Sequence, residues 1–344
     1  MTVIDPSDAA SDRELPTLAL ALDPEKVRPA FKRGLPRLAG EHGVVKVKSI
    51  TVLRHKPGRR CLIEYDVRVE LPEGQRTKEK VIGKIRARRF GNESYRLLDA
   101  IWNAGFDATS SDGSSVPEPL GVIPEFRIWL QRKVDGTEAT LRLLEPGGGA
   151  LASRTAEAIH KLHTAGVPAE RSHTMADEVR ILHEHLPLVT ETKPGLRRRI
   201  ERLLAACDRL GAAVPPPRPC GIHRDFYPAQ VVVQGDRLFL LDFDLYCQGD
   251  PALDVGNFLG HVIELGLRIH GSADALRDRE AALEERFVQL AGASTRPAIQ
   301  AYTTLTLARH VYLSTRFTER TRHTEALLEL CEQRLDAVLR TAAL

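Results

Sequence analysis

A chain of 344 residues, 42% of them apolar and 28% charged, has the makings of one large core or two moderate ones and not of a disordered segment. Its 49 Lys and Arg nearly balance 46 Asp and Glu, and a formal charge of +3 leaves no electrostatic footprint for nucleic acid. Five scattered cysteines without a Cys-x-x-Cys pair read as free thiols of a reducing compartment, not as a disulfide framework or zinc site. No basic and apolar leader opens the sequence and no stretch is apolar for long enough to span a bilayer, so the expectation is a cytoplasmic protein without a membrane partner.

The first dozen residues are polar, without period, and expected to be loose. Asp23-Pro24-Glu25 is a helix start: Asp caps, Pro takes the first helical position and Glu faces the positive end of the dipole. That helix is predicted to run to about Ala39. Residues 44–53 and 61–71 alternate with the period of strands, divided by a turn at Lys56-Pro57-Gly58-Arg59. A second turn at 72–75 leads into a third strand, 80–86, which carries Lys84. A helix over 92–104 and a strand over 126–134 follow.

After Asp135-Gly136 the periodicity becomes helical, over 150–165, 175–186 and 194–210. Four prolines between 215 and 219 break the run. A hairpin over 231–241 is predicted to turn at Gly235-Asp236, and helices fill about 253–268, 274–292, 296–317 and 322–342. The expectation is an α+β chain of two lobes: a small antiparallel β-sheet lobe with an N-terminal helix over 1–134, and a large, mainly helical lobe over 135–344.

The chemistry concentrates in the second part, at GIHRDFYPAQ (221–230) and LLDFD (240–244). Asp225 sits in a loop between a proline-broken helix and a strand, where a carboxylate can accept a proton from a hydroxyl. Asp242 ends an apolar strand, and a carboxylate at such a tip must be paired or bind a metal. Its oxygens suit Mg²⁺. Gln230 either lends its amide oxygen to a metal or only hydrogen-bonds its own loop, and Asp244 is either a second metal ligand or a brace. His223 and Arg224 read as braces of the loop.

In the first part, Lys84 projects from a strand and could meet nucleotide phosphates as a point charge. Glu93 is its nearest acidic partner in sequence, or else merely favours the dipole of its helix. Backbone groups at the end of the fourth strand, Gln131, Lys133 and Val134, could pair with a nucleotide base, and the Lys56–Arg60 turn could offer N–H groups to phosphates. Asp250 and Asp254 read as cap and brace. His163 reads as a packed helix histidine, and Glu264, Glu284 and Glu285 as solvent-facing.

These motifs resemble those of the aminoglycoside phosphotransferase and choline kinase-like family, which has the protein-kinase-like fold. GIHRDFYPAQ, LLDFD, GDPALDVGNF (249–258) and AEAIHKLHTAGVP (156–168) carry the likeness. The resemblance implies an enzyme, a small-molecule kinase: Mg²⁺-dependent transfer of the γ-phosphoryl group of ATP or GTP to a hydroxyl of an aminoglycoside-, choline- or sugar-like acceptor. It implies nucleotide binding in the first lobe, and the catalytic loop and acceptor site in the second. Asp225 takes the role of base and Asp242 that of metal ligand. Gln230 falls where the family's metal-binding Asn stands. That substitution, with the missing glycine-rich signature, keeps open an alternative: a weak or inactive pseudokinase acting as a nucleotide-binding regulatory module.

Overall fold

The structure is a computed structural model that describes residues 1–40, 42–87 and 92–341, the side chains of 33, 34 and 338–341 excepted. It divides into two units, Met1–Asp135 and Gly136–Leu344.

The first unit is built on β1 (Thr2–Ile4), β2 (Val44–Lys56), β3 (Arg60–Glu70), β4 (Arg76–Arg86), β5 (Ser114–Ser115), β6 (Pro119–Ile123) and β7 (Ile128–Arg132). Six of these form one sheet in the order β1-β2-β3-β4-β7-β6, antiparallel except that β1 lies parallel to β2 with Thr2 against Ser49. In β3 the alternation seen in the sequence is literal. Cys61, Ile63, Tyr65, Val67 and Val69 all point inward and are at most 2% exposed. The buried Tyr65 hydroxyl donates to the Ala21 carbonyl at 3.0 Å, and its ring packs on Phe31 at 4.6 Å. It thereby fastens α1 (Leu18–Leu22) and α2 (Pro24–Gly34) to the sheet.

Two expectations about secondary structure and order fail in this unit. The first dozen residues are not loose. β1 is paired, Asp5 accepts the N–H groups of Ala9 and Ala10 at 2.9 and 3.0 Å, and Asp12 accepts that of Gly58 at 2.9 Å. Nor does one helix run to Ala39. Pro36 pushes Leu35 out of the helical region, to φ −128°, and starts a separate turn, α3 (Pro36–Ala39). The cap is as read: the Asp23 carboxylate accepts from Glu25 N at 2.8 Å. α4 (Asn92–Ile101) completes the unit and passes into a wider turn over Trp102–Phe106.

The second unit is mainly helical: α5 (Ala139–Arg142), α6 (Gly148–Thr164), α7 (Met175–His185), α8 (Val189–Thr192), α9 (Arg197–Ala213), α10 (Pro251–His270), α11 (Arg277–Ala291), α12 (Arg296–Thr315) and α13 (Thr324–Thr341). Short strands are set among them. β8 (Thr137–Glu138) lies along the hairpin of β10 (Val231–Gln234) and β11 (Arg237–Leu240), and β9 (Cys220–Ile222) pairs with β12 (Cys247–Gly249). β8, β9 and β12 are too short to leave a period in the sequence.

α10 and α12 form the centre. Asp250 caps α10 by accepting Ala252 N at 2.9 Å, Pro251 takes its first position, and Gly271 ends it at φ 72°. Two glycines let α12 approach. A Cβ on Gly256 would stand 2.5 Å from Tyr302 Cβ and 2.7 Å from Thr303 N, and one on Gly260 2.5 Å from Thr306 Cγ2. Since the first of these contacts involves backbone, Gly256→Ala must part the helices. We expect it to lower the unfolding free energy by about 1–3 kcal/mol in a denaturant titration, against no more than a few tenths for an Ala at the exposed Gly195.

Candidate active site

The site is assembled around one carboxylate. Asp254 lies one turn into α10 and is fully buried. It accepts hydrogen bonds from the backbone N–H of His223 at 2.8 Å and of Arg224 at 2.7 Å, and from His163 Nε2 at 2.9 Å. A carboxylate has about four acceptor positions, so two adjacent amides and an imidazole suit it. The expected brace is therefore real, and the buried His163 is its packed partner.

This grip holds Arg224 in the left-handed region, at φ 69°. Such a conformation costs a non-glycine residue about 1–2 kcal/mol and persists where neighbours enforce it. It turns the chain sharply before Asp225. On the far side of Asp225, Asn257 Nδ2 donates to the Phe226 carbonyl at 2.8 Å, and the Phe226 ring packs on Phe258. The loop thus has two anchors on α10, one before the aspartate and one after it.

The β10–β11 hairpin delivers the second acid. Val231 pairs with Leu240, and Leu241 N donates to the Gln230 carbonyl at 2.9 Å, so the ladder runs up to the residue before Asp242. Asp242 then adopts φ 61°. Only four non-glycine residues have positive φ among the described residues, and two of them are Arg224 and Asp242. His223 ties the two segments together. Its Nε2 donates to the Leu241 carbonyl at 2.7 Å, and its ring lies 4.9 Å from that of Phe243.

The consequence for Asp225 is electrostatic. Burial pushes its carboxyl above the ordinary carboxylate range and Asp242 adds to the shift, while His223, Arg309 and Arg224 oppose it. The sequence motif therefore brings Asp225 and Asp242 within electrostatic reach. Gln230, the residue before β10, is buried, its amide Nε2 3.4 Å from the Tyr227 hydroxyl. Asp244 is half-buried in the turn Phe243–Leu245, where its carbonyl accepts from Arg171 at 3.0 Å.

The remaining candidates belong to the first unit. Lys84, between Leu62 and Trp129 in the sheet, holds its ammonium 5.0 Å from the Trp129 ring centroid. Glu93 is exposed in the first turn of α4. Gln131 is buried in β7 opposite Ile82. Lys133 gives its N–H to the Lys80 carbonyl at 2.8 Å and its ammonium to Glu64. Val134 follows, half-buried, beyond the end of β7. The Lys56–Arg60 turn differs from expectation, because Asp12 takes the Gly58 N–H and also the His55 imidazole at 2.8 Å. Glu264 is another correction: it is 6% exposed and its Oε1 lies 3.0 Å from Arg268 Nε, so it does not face solvent.

Sequence reasoning missed Asn257 and Arg309. Asn257 stands three residues after Asp254, on the same helical face, and that spacing could have found it. Arg309, on α12, bonds to the Asn257 side chain and is felt by Asp225. Nothing local marks it.

This α+β architecture, a mainly antiparallel sheet followed by a helical unit holding the two acids, is the protein-kinase-like fold of small-molecule phosphotransferases. The model of the phosphotransferase enzyme family matches residues 87–302, more than half of the sequence. The chain belongs to that family. No curated protein sequence matches it significantly. Solved structures match through the fold. A choline/ethanolamine kinase family protein from Mesorhizobium loti superposes with a TM-score of 0.54 at 16% identity, covering 92% of this chain and 99% of its own. A thermostable mutant of an aminoglycoside phosphotransferase in its apo form gives 0.51 at 16%, covering 87% and 96%. An amicoumacin kinase in complex with AMP-PNP, Ca²⁺ and Ami gives 0.54 at 14%, covering 83% and 88%.

The raised Asp225 pKa makes a stability prediction. A carboxyl whose folded-state pKa lies above its unfolded value supports folding only while protonated, and that support is lost as pH rises through the folded value. Asp225→Asn removes the ionisation. It should be more stable than wild type at neutral pH, and the advantage should shrink as pH falls into the ordinary carboxylate range. Denaturant titrations at pH 7.5 and pH 4 (about the ordinary carboxylate value) check this, and a pH-independent difference would refute the strained environment.

Proposed function

We propose that the protein transfers the γ-phosphoryl group of ATP or GTP to a hydroxyl of a small molecule, with Asp225 as general base and Asp242 as Mg²⁺ ligand. One observation carries the reading. Two acids from separate elements lie within electrostatic reach, each beside or on a left-handed residue, and both are tied through His223 to a backbone clamped by buried Asp254. An arrangement that raises a carboxyl pKa and costs backbone strain is unfavourable for folding alone, and such costs gather at functional sites.

The donor set suits Mg²⁺. Asp242, Gln230 and Asp244 offer only carboxylate and amide oxygens, the hard ligands this ion takes. Among the described residues, no three His, Cys, Asp or Glu side chains form a ready metal group. That accords with an ion that draws much of its shell from phosphates and water. Asp242 would hold it, with Gln230 or Asp244 as the further ligand. When bound, the ion neutralises charge on the phosphate oxygens.

The chain's own groups do the rest. Asp225 accepts the proton of the acceptor hydroxyl, and Asp254, Asn257 and His223 keep its loop from relaxing. In the first unit, Lys84 supplies a cation for phosphates, with Glu93 as its partner, and Gln131, Lys133 and Val134 serve the base. Because the Lys133 N–H is already donated to Lys80, its contribution there is the carbonyl oxygen.

Asp225→Ala should lower kcat by about 10²–10⁴-fold, with ATP binding retained. ADP release measured against a panel of hydroxyl compounds tests this, and turnover that survives the substitution would sink the mechanism. Gln230→Asn should keep kcat within about 10-fold, or ~1.4 kcal/mol of barrier. Nucleotide binding by wild type without turnover of any acceptor would instead favour a nucleotide-binding regulatory module.

A further inference from the structure

The polar stripe of α10 does not stop at the loop. Beyond Asp254 and Asn257 it continues, one and two turns on, through His261 and Glu264 into a cluster that the roles above leave unused. The ring of Tyr227, two residues past Asp225, stacks on His261 with centroids 4.7 Å apart. His261 in turn meets His310 of α12 edge-on at 4.4 Å.

Three guanidinium groups, Arg268, Arg309 and Arg320, act on this imidazole pair. Their side chains are only 26%, 22% and 30% exposed. Two buried acids answer them. Glu264 Oε1 lies 3.0 Å from Arg268 Nε and 3.9 Å from Arg320 Nη1, and Glu178 Oε2 lies 3.5 Å from Arg309 while its Oε1 takes His173 at 2.7 Å. Three guanidinium groups thus share two acids within the cluster, Asp225 being the further acid in the field of Arg309, and the imidazoles register the cations. Burial, then Arg309, Arg320 and Arg268, push His310 down to about 3, and burial with the same cations holds His261 well below its ordinary range. Both rings are therefore neutral at ordinary pH and available as hydrogen-bonding groups.

One of them is incomplete. His310 is 2% exposed, and its Nε2 has no hydrogen-bond partner among the described residues. A buried polar atom in this state is costly to leave unmet and calls for an explanation, such as a group that joins it on binding. Arg309 links the cluster to the loop, since it also bonds to the Asn257 side chain and is felt by Asp225.

We propose that this cluster is the acceptor subsite and that it selects a hydroxyl compound bearing an oxyanion, a carboxylate or a phosphate, over neutral or cationic acceptors. The inference rests on the reading of Asp225 as base. Arg309 and Arg320 hold the oxyanion, the face of Tyr227 and the neutral imidazoles contact the body of the molecule, and its hydroxyl reaches Asp225. In the transfer, the hydroxyl proton passes to Asp225 and its oxygen bonds to the γ-phosphorus. The bond from that phosphorus to the β-phosphate oxygen breaks, giving a phosphate ester and the nucleoside diphosphate. A cationic aminoglycoside or choline would meet like charge here, and like-charge contacts reject a partner as effectively as good contacts select one.

The test uses the full chain with Mg²⁺ and ATP and matched acceptors: glycerol against glycerate, glucose against gluconate, with choline and kanamycin as cations. We expect kcat/KM at least about 10-fold higher for the anionic member of each pair (~1.4 kcal/mol). Arg320→Gln should remove most of that preference through KM with kcat kept, and Arg320→Lys should retain it. Equal or better turnover of neutral or cationic acceptors overturns the inference. A second measurement does not need turnover. With AMP-PNP and Mg²⁺ present, the imidazole nitrogen resonances of His310 should shift on adding gluconate but not choline, and the shift should be lost in Arg320→Gln. No shift with gluconate, or an equal shift with choline, overturns it as well. Failure to bind AMP-PNP would sink the phosphotransferase reading itself, whereas AMP-PNP binding with a cationic preference would sink only the acceptor class.

Discussion

The fully buried carboxylate of Asp254 is what the second unit is organised around. An ionised acid removed from water is tolerated only when its acceptor positions are filled, and losing a partner leaves a charge whose burial costs several kcal/mol. Here the partners are two consecutive amides of the loop that carries Asp225 and one imidazole of α6. The need to satisfy one charge therefore fixes two segments, the Asp225 loop and α6, relative to α10. It also enforces the left-handed turn at Arg224, and with it the direction in which Asp225 leaves the chain.

From that constraint the rest of the arrangement follows in a chain of contacts. His223, held by its amide, reaches across to the Leu241 carbonyl, so the strand that ends in Asp242 is set against the loop that carries Asp225. Asn257 secures the next carbonyl and passes the connection to Arg309 on α12. The close packing of α10 on α12 at Gly256 and Gly260 is then more than core filling. It sets the distance at which an arginine and a histidine of α12 face the groups of α10. The helix pair serves as the rigid element that positions the charged groups, the arrangement expected where a site must be preorganised.

Much of this was legible in the sequence because it is local. The alternation of β3, the Asp23 cap, the hairpin turning at Gly235 and the order of Asp225, Gln230 and Asp242 each depend on residues within a few positions of one another. The failures have the opposite character. The pairing of Thr2–Ile4 beside β2, the capture of Gly58 by Asp12 and the burial of Glu264 are decided by partners far along the chain or on another element. The break at Leu35 is the exception, since its cause, Pro36, is the next residue in the chain.

The sequence by itself determined the fold class, the family and the identity of the two acids, because these rest on short-range chemistry: a motif, a turn, a strand end. Only the tertiary structure decided what those acids experience. The elevated pKa of Asp225, the left-handed backbone beside it, and the gathering of Arg268, Arg309 and Arg320 about two neutral histidines arise where α10 and α12 meet. Burial and the field of distant charges are properties of packing, and no spacing along a single chain encodes them.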